Sequence, residues 1–253
     1  MPQKPGPEWV QRQLIDSLFP TGGFAHSYGL EAAIQQRIVR NKDPKSLYEF
    51  AITTLYQCGN FSLPIFYAVT QCMVQHKETH QKLVISRLVQ LHIRVDAMHV
   101  NHVAKRASYS QGAALFRIAS NARGIIDDVN LLVQFRAALK DRNERCEWLD
   151  LESCGLHHVV VMAVLTVLLD IDAETGQRMY LFVLLRDILS AATRLNIVGP
   201  MESTRMHLQT HSATEEIFQS HKNCMLEEAY TSAPILDLVQ GKHEQLYTRI
   251  FNS

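Results

Sequence analysis

Several nucleotide and metal motifs are absent from the chain, and each absence removes a class of chemistry. No Gly-x-x-x-x-Gly-Lys-Ser/Thr cradle occurs, because Gly241-Lys242 continues with His243. No Gly-x-Gly-x-x-Gly follows a strand-like run either, so nucleotide binding has no motif to rest on. The five cysteines (Cys58, Cys72, Cys146, Cys154 and Cys224) are odd in number and form no Cys-x-x-Cys pair. That spacing supports neither a zinc knuckle nor a thioredoxin-like motif. An excess of one charge is missing too, since Lys+Arg and Asp+Glu both total 25. A neutral chain has no built-in attraction for nucleic acid or anionic lipid, and little opposes its self-association. The longest apolar run, Val159 to Leu169, is about half of what a bilayer needs. Met1 to Gln13 is polar and proline-bearing with no apolar core, unlike a secretory signal. These features predict a cytoplasmic protein with reduced thiols that binds neither membrane nor nucleic acid.

What is present is helical punctuation. Hydrophobic residues make up 47% of the chain and charged residues 20%, a globular balance. Asp43-Pro44 is a helix opening, a side-chain cap followed by a proline whose missing N–H is not needed there. Leu47, Phe50, Ala51, Thr54, Leu55 and Cys58 follow at helical spacing, with Gly59 as the stop and a second helix after Asn60 carrying Pro64 early. From Glu78 the residues Leu83, Leu88, Leu91, Val95, Met98 and Val103 predict a long amphipathic helix, which Gln111-Gly112 continues or restarts. Val129 to Leu139 reads as a short helix. Val159 to Leu165 is β-branched enough for a strand, yet no partner strand exists, so a buried helix is predicted. Glu174 to Leu195 is helical up to Gly199-Pro200, and Ser212-Ala213-Thr214-Glu215 matches a capping box that opens another helix. The sum is one all-α, multi-helix domain over residues 14–253, after a flexible lead of residues 1–13.

Side chains able to carry chemistry are present but do not assemble from spacing. Asp127-Asp128 lacks a further carboxylate one turn on, where Leu131 and Leu132 stand, so a solvated helix start is the better reading. Of the twelve histidines, His92, His99 and His102 could share one helix face and approach a metal-binding spacing. No carboxylate stands directly beside the His99 and His102 pair, and His157-His158 diverge around a helix, so ordinary packing or surface histidines are the stronger reading. No Ser-His-Asp or Cys-His set is apparent. No catalytic, cofactor or metal residue is assigned.

The most informative stretch is Leu18-Phe19-Pro20-Thr21-Gly22-Gly23-Phe24-Ala25-His26-Ser27-Tyr28-Gly29-Leu30-Glu31. Paired glycines permit dihedrals and close approaches that a Cβ resists, so this loop presents a specified backbone shape. On physics alone it is a tight connection between helices or a presented surface. Its residue order resembles the N-terminal signature of the urease accessory protein F family. Three other stretches join it: His102 to Ser108 running into Gln111-Gly112, Leu189-Ser190-Ala191-Ala192-Thr193-Arg194-Leu195 through Gly199-Pro200, and the ending Gly241-Lys242-His243 to Arg249-Ile250-Phe251-Asn252-Ser253, which is most similar to plant-type members. Two departures stand out. Ile250 replaces the usual leucine, and Met201-Glu202-Ser203-Thr204 follows Gly199-Pro200 where a Leu-Gly-Gln type run is commoner.

The resemblance implies an all-α, homodimeric, non-catalytic adaptor. Such a protein docks on urease accessory protein D (also called H) and, through that complex, on the GTPase accessory protein G. It couples GTP hydrolysis to nickel insertion into apo-urease. The positions it nominates for partner contact are Gly22, Gly23, Phe24, Ser27, Gly29, Glu31, Arg194, Tyr247, Arg249, Ile250, Phe251 and Ser253. Leu246, Tyr247, Ile250 and Phe251 are spaced to form one apolar helical face, which either lies in a partner's groove or packs on the chain's own core. An all-α scaffold unrelated to urease and a histidine-based helical metalloprotein are the rival readings.

Overall fold

The computed structural model describes residues 6–17, 21–75, 80–121, 129–140 and 155–253. Within them run eleven α-helices and no strand: α1 (Pro7–Ile15), α2 (Leu30–Gln35), α3 (Pro44–Gln75), α4 (Gln81–Met98), α5 (His102–Asn121), α6 (Val129–Lys140), α7 (His158–Leu168), α8 (Ala173–Arg194), α9 (Pro200–Gln209), α10 (His211–His221) and α11 (Pro234–Gly241). The all-α expectation holds. Asp127-Asp128, Cys146 and Cys154 lie outside the described residues. Helix α1 begins within the segment read as a flexible lead, and its Leu14 is buried.

The architecture turns on α3, which spans 32 residues, about 48 Å at helical rise. Its first half buries Leu47, Phe50 and Leu55 in one apolar cluster, with α2, α8, α10 and Phe251. Its second half buries Ile65, Phe66 and Val69 in another, with α4, α5, α6 and α7. Helix α7 lies inside the latter cluster. Val160, Val161, Ala163 and Val164 are all fully covered, which is why its sequence is apolar on every side.

The predicted break at Gly59 is absent, because α3 continues through both Gly59 and Pro64. A proline there deprives the Asn60 carbonyl of its usual helical donor. The Tyr230 backbone N–H supplies the replacement at 3.2 Å. Gly59 serves packing instead, since a Cβ at that position would collide with Ile217 of α10. Conversely, the long helix predicted from Glu78 is two helices. Asn101 starts the second by accepting hydrogen bonds on Oδ1 from the Val103 and Ala104 N–H groups at 3.0 and 3.2 Å. The capping box at Ser212 is not used either. Thr210 is the junction between α9 and α10, and its hydroxyl donates back to the Met206 and His207 carbonyls. Asp43 and Asp172 do cap their helices, each accepting backbone N–H groups on its carboxylate.

Candidate functional site

The Gly-Gly loop and the tail, some 226 positions apart in sequence, lie against each other. The loop enters through Gly22 at φ +84°, makes the 3-10 turn Gly23–Ala25, and leaves through Gly29 at φ +85°. Both angles are in the left-handed region that glycine tolerates best. Gly23 is needed for space: a Cβ there would collide with the Asp187 carboxylate of α8. Arg186 holds that carboxylate from the other side, its Nε and Nη2 donating to Oδ1 at 2.9 and 2.7 Å.

The tail is clamped by backbone and side-chain bonds together. Asn252 N–H donates to the Ala25 carbonyl at 2.8 Å, and Ser27 N–H donates to the Ser253 oxygen at 2.7 Å. The Ser27 hydroxyl donates to that same oxygen at 2.6 Å and accepts from Glu31 N–H. His26 Nδ1 meets Ser253 Oγ at 2.8 Å. Glu31, 4% exposed, accepts from the Ile250 and Phe251 N–H groups at 2.8 and 3.1 Å, while His243 Nε2 lies 3.2 Å away. A helix-first-turn carboxylate has thereby become the anchor of the chain's far end. Arg194, in the last turn of α8, completes the joint. Its guanidinium lies 3.6 Å from the Phe24 ring centroid and 4.1 Å from that of Phe251, and it donates to the Phe24 carbonyl.

The tail therefore packs in cis, and not as a helix. Beyond Gln245 the backbone is irregular, so Leu246, Tyr247, Ile250 and Phe251 do not form a single face. Phe251 is buried at 3%, whereas Ile250 is 67% and Tyr247 fully exposed. Phe24 is also exposed, at 66%. Arg249 borders an open polar cleft with His26, Arg106 and Asn252. Thus Ser27, Glu31, Phe251 and Ser253 face inward as a lock, and Phe24, Tyr247 and Ile250 face water.

The histidines divide differently from their spacing. His102 turns outward to Glu244 at 2.8 Å, away from His92 and His99, which are grouped around His157 of another segment. Among the described residues no group of three or more His, Cys, Asp or Glu side chains could hold a metal ion. Spacing gave no hint of a buried chain in which Ser108 Oγ lies 3.1 Å from His157 Nδ1 and His157 Nε2 lies 3.2 Å from Asp96 Oδ1. It has the connectivity of a catalytic triad without the electrostatics. Burial, opposed by Asp96 and helped by His99 and His92, lowers His157 to about 3, too weak a base near neutrality. Burial works against the Asp96 charge, yet hydrogen bonds from His157, Tyr109 and Lys105 hold its carboxyl well below the ordinary range. Ser108 Oγ also accepts the His158 N–H at 3.1 Å. The network ties α4, α5 and α7 together as a buried structural joint.

Comparison with known proteins places this geometry. The UreF family model matches residues 41–211. Urease accessory protein F of Arabidopsis thaliana is 40% identical over 246 residues, covering 97% of this chain and 92% of the relative. Urease accessory protein F of Oryza sativa subsp. indica is 36% identical over 243 residues, covering 96% and 84%. A UreF-like urease accessory protein of Schizosaccharomyces pombe is 28% identical over 242 residues, covering 95% and 94%. The loop, the α8 segment and the tail that resembled this family in the sequence meet at one joint, and the chain belongs to the UreF family of urease accessory proteins.

Proposed function

We propose that this chain is a non-catalytic adaptor of urease maturation. It docks on urease accessory protein D (or H) and, in that complex, engages the GTPase accessory protein G, so that GTP hydrolysis is coupled to nickel delivery into apo-urease. One observation carries the assignment of the docking face: Phe24, Tyr247 and Ile250 are held in water by the buried lock beneath them. Large apolar side chains left exposed on rigid backbone are the anchors that interfaces favour. The family membership supports the maturation role, and the absence of any membrane-length apolar helix among the described residues fits a cytoplasmic site of action.

Co-purification with accessory proteins D and G, followed by urease activation with and without this chain, tests the reading. The double variant Tyr247→Ala, Ile250→Ala should melt close to the parent, because neither side chain is buried, yet bind at least tenfold more weakly. Parent-like binding by that variant would move the interface elsewhere. A homodimer also belongs to this proposal. Sedimentation at micromolar concentration should give about twice the 28.8 kDa mass of the chain, and a purely monomeric species would remove that element.

A further inference from the structure

Between the two apolar clusters lies a cavity of about 180 Å³ that the loop–tail joint does not use. It is bounded by α3, α5, α7 and α8 and roofed by α11 and the Met98–Asn101 connection. Its volume exceeds that of a 150 Å³ engineered cavity that binds benzene. Its walls are aromatic: Phe61, Tyr28, Tyr180 and the His158 ring, the last two with centroids 5.4 Å apart.

Two polar side chains line this space with hydrogen-bonding capacity to spare. Gln111 is 3% exposed and accepts the Tyr28 hydroxyl on Oε1 at 3.2 Å, while its amide N–H groups donate to nothing among the described residues. His158 is 7% exposed, and its ring makes no hydrogen bond among the described residues, although its backbone N–H donates to Ser108. These groups open onto the space, where a ligand or ordered water can meet them. Among the described residues that line the wall there is no Lys or Arg. Burial lowers His158 to about 4 and raises the Cys58 thiol to about 12. The one acidic side chain at the edge, Asp237, is occupied by Asn101. An anionic ligand would therefore lose its hydration with no cation opposite to replace it.

We propose that this cavity is a binding site for a small, uncharged aromatic molecule of the phenol class. The ring stacks among Phe61, Tyr180 and His158, and the oxygen accepts from the Gln111 amide N–H. The hydroxyl of the ligand donates to the acceptor nitrogen of the neutral His158.

Fluorine NMR titration of the full chain with para-fluorophenol, fluorobenzene and para-fluorobenzoate tests it. Saturable binding of the phenol is expected, with weaker binding of fluorobenzene and none of the benzoate. Gln111→Leu should weaken the phenol by about five- to tenfold and leave fluorobenzene within about twofold, the signature of one lost hydrogen bond. Val183→Phe, which fills the cavity from α8, should abolish both. Absence of saturable phenol binding, equal binding of the benzoate, or phenol binding untouched by Gln111→Leu would each overturn the proposal. The Gln111 comparison decides the matter even where the Val183 variant fails to fold.

Discussion

Deleting Arg249 through Ser253 should lower the melting temperature by at least 10 °C and bring aggregation, because the tail is part of the chain's own core. The loss has identifiable parts. Phe251 is almost fully buried, and a phenylalanine side chain contributes about 2–3 kcal/mol on transfer. Its removal opens the apolar cluster that also holds Leu30, Ala33 and the buried side of α8. Glu31 loses both backbone donors, and a buried carboxylate deprived of its partners is destabilising by a few kcal/mol more. Together these reach on the order of 5 kcal/mol, which at about 2–4 °C per kcal/mol for a chain of this size gives the stated shift. Glu31→Ala should reproduce a good part of it while leaving Phe251 in place. That is well beyond the effect of an exposed first-turn acid, about 0.3–1 kcal/mol. Differential scanning calorimetry of the truncated chain, the Glu31 variant and the Tyr247/Ile250 double variant separates the lock from the exposed face. A truncated chain that melts like the parent would show that the tail does not pack in cis.

Acidification from pH 6.5 to 5 should strongly destabilise the protein, above the ordinary carboxylate range. Burial, as the largest cause in each case, lowers His26, His92 and His158 to about 4 and His157 to about 3, from an ordinary 6.5. In the window between the folded and unfolded values the unfolded chain binds more protons, so stability falls as pH falls. At neutral pH all four are uncharged in the folded state and mostly uncharged in the unfolded one, so little is lost. By pH 5 each costs on the order of 2 kcal/mol, and their sum approaches the 5–15 kcal/mol of an ordinary domain. His99 and His243 are shifted in the same direction. Asp96 works in the same direction but only within and below the usual carboxylate range, because its folded value is held down and the unfolded chain takes up its proton first. Calorimetry from pH 7.5 to 5 should show the melting temperature falling by on the order of 20 °C. Unfolding near pH 5.3 should take up about three to four protons. A flat profile with no proton uptake would mean that these rings are open to water in the folded protein.

Much of the architecture was legible, and the failures have particular causes. The apolar periodicities at Val129, Val159 and Glu174 led to α6, α7 and α8 within one to three residues at each end, since each stripe repeats over several turns. Pro64 was misread because proline removes one donor locally, whereas the Tyr230 N–H that replaces it comes from a distant segment. Asn101 was missed as a cap because the hydrophobic stripe runs across it, and only the structure shows the chain turning there. The chain from Ser108 through His157 to Asp96 joins three separate elements, so no spacing rule could collect it.

By itself the sequence determined the class of fold, most helices, the family, and the loop, α8 segment and tail as the distinctive stretches. These depend on local signals: helical period, capping residues, glycines where φ turns positive, and residue order. Tertiary structure alone decided which sides of those stretches face inward. Ile250 and Phe251 are neighbours of similar hydropathy, yet one is in water and the other is under Arg194. Their difference comes from Glu31 taking two consecutive backbone N–H groups, which fixes the tail's path and so the direction of each side chain. A backbone N–H has the same donor in every residue, so its choice of a partner 220 positions away leaves no mark on the tail's own composition.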